Sequence, residues 1–294
     1  MSNRIGIDVG GTKIDAAVLS PAGAMLFDKR IATPQSYDAL IAAIAGLVSE
    51  AQGVAGEGTT VGLGAPGSQS PRTGLWRNAN LTFCNDRPFA QDLQMAISLP
   101  LKAENDANCF ALSEALDGAG RGYEVVAFFT MGTALGGGLV INGRLRTGPN
   151  AEAAEFGHTP LPRPDASEWP LLDCFCGKKG CAETLVSGTG LARDYGGGIT
   201  GKEIVARARA GEAEAKAALL RLQDRFARVC ANIVNVVDPD IFVIGGGLNE
   251  LPELVEELPP LVARYSFSGT AQVKVARALH GEKSGVRGAA RLWG

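Results

Sequence analysis

Nowhere does the chain run through the roughly 20 uncharged apolar residues that a bilayer span needs. Nor does one sign of charge prevail. Lys and Arg number 28 against 31 Asp and Glu, a net charge of −3, so no basic face is available to dominate nucleic-acid binding. A charged-then-apolar leader is missing too, since Ile5 to Val9 is short and leads straight into a glycine turn. We therefore expect a cytoplasmic protein with neither membrane nor nucleic acid as partner. Histidine is scarce, with two residues in 294, at positions 158 and 280, which restricts any metal site that needs an imidazole. The length suits two cores, because a single core stops growing near roughly 250–300 residues.

What the chain does have is a repeated glycine turn. Ile5-Gly-Ile-Asp8-Val-Gly10-Gly11-Thr12-Lys13 is an apolar run that breaks after an Asp into two glycines, a hydroxyl and a cation. Glycines let the backbone approach a phosphate and aim its N–H groups at the oxygens. Thr12 and Lys13 can add donors, and Asp8 can face a magnesium ion through water. An ordinary β-hairpin turn would look similar. Recurrence argues for the phosphate loop: Val125 to Thr130, then Met-Gly132-Thr133-Ala-Leu-Gly136-Gly-Gly138, is again an apolar run, a Gly-Thr turn and an apolar strand. Both copies go on to a second turn (Pro21-Ala-Gly23 and Asn142-Gly143) and a third short strand. The pair reads as a duplicated nucleotide-binding unit.

Alternating α/β layers fit the rest. Strands are expected over Arg4–Val9, Ile14–Leu19, Met25–Ile31 and Thr60–Leu63, with helices over Ser36–Gln52 and Pro88–Ile97. Asn105–Asp117 reads as a loop leading into a helix. Thr200 to Glu203 has capping-box spacing. Gly196 to Glu203 also resembles a Walker A loop, but Glu203 replaces the magnesium-binding hydroxyl and no strand precedes it. A long amphipathic helix carries Leu219, Leu222, Phe226, Val229, Ile233 and Val237 at three- and four-residue steps. Ile241 to Ile244 then runs into Gly245-Gly246-Gly247, where bare backbone leaves room for an adenine or its ribose.

Three of the six cysteines, Cys174, Cys176 and Cys181, are bunched within eight residues. In a cytosolic protein such bunching points to a metal before a disulfide. With His158 as fourth ligand they would form a tetrahedral Cys3His zinc site, and reduced metal-free thiols are the alternative. The other three, Cys84, Cys109 and Cys230, are scattered, the last two in apolar helical patterns. For a general base, Asn105-Asp106-Ala107-Asn108 offers a carboxylate between amides, although the same string is a common helix cap.

Taken in order, Asp8 to Lys13, Gly64-Ala-Pro-Gly67, Asn105 to Asn108, Gly132 to Gly138, Glu155-Phe-Gly-His158, Cys174 to Glu183 and Gly245 to Gly247 resemble the ROK family (repressor, open reading frame, kinase). The resemblance implies an actin-like ATPase (ribonuclease H-like) fold of two lobes, in which ATP and a hexose meet. A smaller lobe would span 1–104, with 281–294 returning to it, and a larger one 105–280. Asp106 becomes the general base. Asn80, Asn105, Glu155, His158 and Glu183 become ligands of the sugar hydroxyls, with His158 serving zinc through its other nitrogen. Pro66 to Gly74, Asn78-Ala-Asn80 and Ser284 to Ala290 look most like the fructokinase/mannokinase branch, implying phosphorylation of the 6-hydroxyl. N-acetylglucosamine or N-acetylmannosamine kinase is the alternative, and a non-catalytic sugar-sensing protein a further one. With only Met1 to Arg4 ahead of the first loop, no DNA-binding helix-turn-helix is expected. ATP, Mg2+, a structural Zn2+ and a homodimer complete the expectation. The chain departs from the family pattern at Ala134 and Ala154, where glycine is usual.

Overall fold

The computed structural model describes residues 2–196 and 198–294. A meander of β1 (Arg4–Val9), β2 (Lys13–Leu19) and β3 (Met25–Ala32) leads into α1 (Tyr37–Ala55) and β4 (Thr60–Ala65). A small hairpin of β5 (Ser68–Gln69) and β6 (Trp76–Arg77) follows, then α2 (Phe89–Ile97), β7 (Leu101–Asn105) and α3 (Asp106–Asp117). The theme returns with β8 (Val125–Met131), β9 (Leu135–Ile141) and β10 (Arg144–Leu145). Next come α4 (Gly188–Tyr195), α5 (Gly201–Arg209), α6 (Ala213–Val236) and β11 (Ile241–Gly245). The chain closes with α7 (Pro252–Val255), α8 (Leu258–Tyr265), β12 (Val275–Arg277) and α9 (Ser284–Ala290).

Two compact units result. One holds residues up to Arg121 with Gly143–Ala153 and Glu282–Gly294; the other holds Gly122–Asn142 and Ala154–Gly281. The division differs from a boundary at 104, because α3 packs on β4, β7 and α9 and so stays with the first sheet. That sheet has the order β3-β2-β1-β4-β7, antiparallel through β1 and parallel beyond it. In the second unit β9 pairs antiparallel with β8, and β8, β11 and β12 run parallel. Each unit thus repeats a hairpin whose first strand pairs with a later parallel strand. The glycine turns differ by one residue: Val9 pairs with Ile14, but Met131 pairs with Leu135.

By length and composition α1 could cross a membrane, although it carries Asp38 and Glu50. Its apolarity is accounted for by the core, since Leu40, Ile44, Leu47, Val48 and Ala51 are buried against the first sheet. The long helix α6 does the same for the second sheet through Leu219, Leu222, Phe226 and Ile233. Cys109 and Cys230 are buried packing residues. Thr200 caps α5 with both bonds of a capping box, which disposes of the Walker A likeness.

The C-terminal helix α9 approaches the first sheet at backbone distance. A Cβ added to Gly62 would lie 1.7 Å from the Ala289 carbonyl oxygen, and one on Gly6 2.1 Å from that of Val286. On the other side, a Cβ at Gly288 would fall 1.6 Å from the Cys109 carbonyl oxygen of α3. All three neighbours are main chain, so none can swing aside. Gly62→Ala is therefore expected to lower stability by about 2–3 kcal/mol, read from equilibrium urea unfolding. An unchanged midpoint would show that α9 is loosely seated.

Candidate active site

In the first unit the glycine turn is a hairpin turn in its bonding and a bare ledge in its sterics. The Gly10 N–H donates to the Lys13 carbonyl at 2.8 Å, and the Gly10 carbonyl accepts from Thr33 Oγ1 at 2.7 Å. A Cβ on Gly11 would meet nothing within 4 Å, so the backbone there is open to a ligand. Lys13 is held by an unforeseen partner, donating to Glu282 at 2.9 Å, while Arg30 donates to the same carboxylate oxygen at 3.1 Å. Behind them the buried Asp15 accepts from Arg30 at 2.9 Å and from Lys283 at 3.1 Å. Glu282 lies 269 residues from Lys13, and no local pattern in the sequence signals the pair.

The Asn105–Asn108 string is cap and candidate catalytic group at once. No loop separates strand from helix: β7 ends on Asn105, whose side-chain oxygen accepts from the Ala107 and Asn108 N–H groups and starts α3. Its amide donates to the Gly67 carbonyl at 3.1 Å. Gly67 takes a φ of 86°, and a Cβ there would strike the Arg77 carbonyl oxygen and the Ala79 nitrogen. The turn Asn105 touches is thus packed against the start of the loop bearing the exposed Asn80. Asp106 is half-buried, and loss of hydration pushes its carboxyl up while the Ala107 N–H pulls it back. Asp8 is half-buried too, and its carboxyl is pushed up to about 8 by loss of hydration, then by Asp106 and Asp15. A Cβ on Gly285 of α9 would sit 2.2 Å from an Asp8 oxygen, so that glycine makes the carboxylate's berth.

In the second unit Gly132 is braced by a helix that sequence reasoning missed. The Gly188 N–H at the head of α4 donates to the Gly132 carbonyl at 2.7 Å, and Thr133 is exposed. The Gly245–Gly247 turn follows β11, which pairs parallel with β8, the strand feeding the same loop. Gly246 takes a φ of 84°, and a Cβ there would meet the Met131 carbonyl oxygen at 2.5 Å. Nothing lies within 4 Å of a Cβ on Gly247. Ala134 does not take a positive φ, so its methyl meets no left-handed strain. Ala154 does, at φ 65°, where a side chain costs roughly 1–2 kcal/mol.

Among the described residues the His158, Cys174, Cys176 and Cys181 ligand atoms lie within 4.8 Å of one another. Cys174 Sγ is 3.6 Å from His158 Nδ1, and Cys176 Sγ is 3.6 Å from Cys181 Sγ. A tetrahedral zinc with bonds of about 2.3 Å to sulfur and 2.0 Å to nitrogen has edges of about 3.5–3.8 Å. The donor set fits such an ion. Nδ1 of His158 faces the thiols, which leaves Nε2 on the other side of the ring. Glu183 joins the cluster, its Oε1 3.1 Å from Cys174 Sγ and 3.9 Å from His158 Nδ1. The Glu155 carbonyl accepts from the His158 N–H at 3.0 Å.

Comparison with known proteins defines the class. The model of the ROK family matches residues 4–294, and the chain belongs to that family. An N-acetyl-D-glucosamine kinase of Escherichia coli O6:H1 is 38% identical over 296 residues, covering 98% of each chain. A ROK hexokinase from Thermus thermophilus superimposes with a TM-score of 0.85 at 32% identity, covering 98% of this chain and 96% of that one. A ROK family glucokinase from Streptomyces griseus, in complex with glucose and AMPPNP, gives 0.78 at 31% identity, with 99% and 98% coverage. The fold is the actin-like ATPase fold of these sugar kinases.

Asp8 supplies a test of the half-buried carboxylate pair. An unfolded Asp titrates near 3.9, below the folded value of about 8. Between the two the native state keeps a proton that the unfolded chain has released, so stability falls as pH rises through that window. Asp8→Asn removes the titration. Its melting temperature, without nucleotide, should exceed the parent's at pH 8 at about 2–4 °C per kcal/mol, and the gap should close toward pH 5. A pH-independent difference would mean that Asp8 is already ionised in the folded protein.

Proposed function

We propose that this protein is an ATP-dependent sugar kinase that phosphorylates N-acetylglucosamine at its 6-hydroxyl. The choice of sugar is carried by the 38% identity to an N-acetyl-D-glucosamine kinase along 98% of both chains. That likeness favours the acetamido sugar over the fructose or mannose suggested by the sequence stretches above. Asp106 takes the proton from the 6-hydroxyl as that oxygen bonds to the γ-phosphorus and the β–γ bridging bond breaks, releasing ADP. Because a hydroxyl is a poor nucleophile, the base matters, yet most of the rate comes from positioning and charge neutralisation on the phosphates. Gly10, Gly11, Thr12, Lys13, Gly132 and Thr133 are the phosphate-side residues in this reading, and Gly245 to Gly247 take the adenosine. Asp8 would hold a magnesium ion, whose charge would offset that of the phosphates. The hydroxyl ligands in this reading are Asn80, Asn105, Glu155, His158 and Glu183. A cytoplasmic homodimer belongs to the same reading.

A Cys3His set leaves a metal no open position, so zinc here is structural. With Nδ1 of His158 facing such an ion, the residue would offer Nε2 to the sugar. Cys176→Ser should lose one zinc per chain, melt earlier and bind the sugar weakly while nucleotide affinity is largely kept. Metal analysis and calorimetric titration of both ligands check this, and a zinc-free protein binding its sugar normally would refute it.

An ADP-release assay across N-acetylglucosamine, N-acetylmannosamine, glucose, mannose and fructose tests the assignment. N-acetylglucosamine should show the highest kcat/KM, and Asp106→Asn should cut kcat by about 10²–10⁴ with little change in sugar affinity. A higher kcat/KM for fructose or mannose would restore the other branch. No turnover with any sugar would leave the sugar-sensing reading.

A further inference from the structure

The loop that carries Asn80 is closed by one side chain acting as a strand. Trp76 and the Asp86–Arg87 pair form its neck, with Trp76 N–H donating to the Arg87 carbonyl at 2.8 Å and Asp86 N–H to the Trp76 carbonyl at 2.9 Å. Nearer the tip, Asn85 spans six residues to grip Ala79 at both main-chain groups. Its Oδ1 accepts from the Ala79 N–H at 2.9 Å, and its Nδ2 donates to the Ala79 carbonyl at 3.1 Å. Only one orientation of the amide satisfies both bonds, so its assignment is settled by the pairing itself. Ala79 is buried, and the next residue, Asn80, is exposed. Left-handed residues flank the grip, Asn78 at φ 59° and Asp86 at φ 60°.

We propose that Asn85 is a positioning residue for sugar recognition, fixing the backbone from which Asn80 reaches the hexose; this rests on the reading of Asn80 as a sugar ligand. An amide bonded to both main-chain polar groups of one residue sets its orientation as a neighbouring strand would, at the cost of ordering a single side chain. Nothing in the grip touches the first phosphate loop, so the effect belongs to the sugar and not to the nucleotide.

The test is a double-mutant cycle on the full-length protein, with N-acetylglucosamine or whichever hexose the panel selects. Asn85→Ala should raise KM for the sugar about tenfold through loss of two hydrogen bonds, leaving KM for ATP within about twofold. Asn80→Ala should raise the sugar KM at least as far. The double variant should be no worse than Asn80→Ala, because Asn85 acts only through it. Additive losses, an equal rise in KM for ATP, or an unchanged sugar KM in Asn85→Ala would overturn the proposal. A normal Asn80→Ala would instead overturn the ligand reading on which it stands. Asn85→Asp, which keeps the acceptor and loses the donor, should be intermediate and serves if the alanine variant does not fold.

Discussion

The seating of α9 on bare backbone is the constraint from which the first unit's chemistry follows. Gly6 and Gly62 on the sheet and Gly288 on the helix bring main chain against main chain, as close packing without side-chain ridges requires. Gly285 on the same helix leaves the space that the Asp8 carboxylate fills. The preceding turn then delivers Glu282 to Lys13 and Lys283 to Asp15. Other anchors hold the helix in register. Ser284 donates to the buried Glu114 at 2.7 Å, while Arg287 and Arg291 both donate to Asp117 of α3. The glycine turn near the start of the chain is thus shaped by residues from its end, Glu282 onward.

The second unit uses charge where the first uses bare backbone. Glu168 sits in the Pro-rich stretch between His158 and Cys174 and accepts from Arg225 at 2.8 Å and Arg228 at 2.5 Å, all three being nearly fully buried. Burial would raise the carboxyl of Glu168, but the two guanidinium groups outweigh it and hold it below its ordinary range. Arg228 also donates to the carbonyls of Pro162 and Arg163. Such a network is poor evidence for net stability, since desolvation offsets much of the attraction. Its evident effect is to fasten the stretch between His158 and Cys174 to α6.

The features legible in the sequence are those whose partners are near in sequence. Both glycine turns, the capping box at Thr200 and the cysteine cluster need only a few residues to be recognised. Pairings such as Lys13 with Glu282, or Gly62 with Ala289, join positions more than 200 residues apart and leave no local trace. The choice of sugar was illegible for a different reason. All three stretches that suggested fructokinase do structural work here: Gly67 and Asn78 take left-handed turns, and Ser284 to Ala290 is α9 itself. Residues that build the scaffold are needed whichever hexose binds, so they carry little information about it.

Cap and base at Asn105-Asp106-Ala107-Asn108 also looked like competing readings, and the geometry makes each depend on the other. A half-buried carboxylate resists ionisation, and loss of hydration raises Asp106 accordingly. A general base must nonetheless be free of its proton when the hydroxyl arrives. Asp106 is the first residue of α3, and the Ala107 N–H donates to it at 2.8 Å. There the unpaired N–H groups and the helix dipole favour negative charge. Asn105, as the cap, directs its own oxygen to the Ala107 and Asn108 N–H groups and thereby fixes the start of that helix. In the proposed reaction, the charge of the base is favoured by the helix terminus that Asn105 caps.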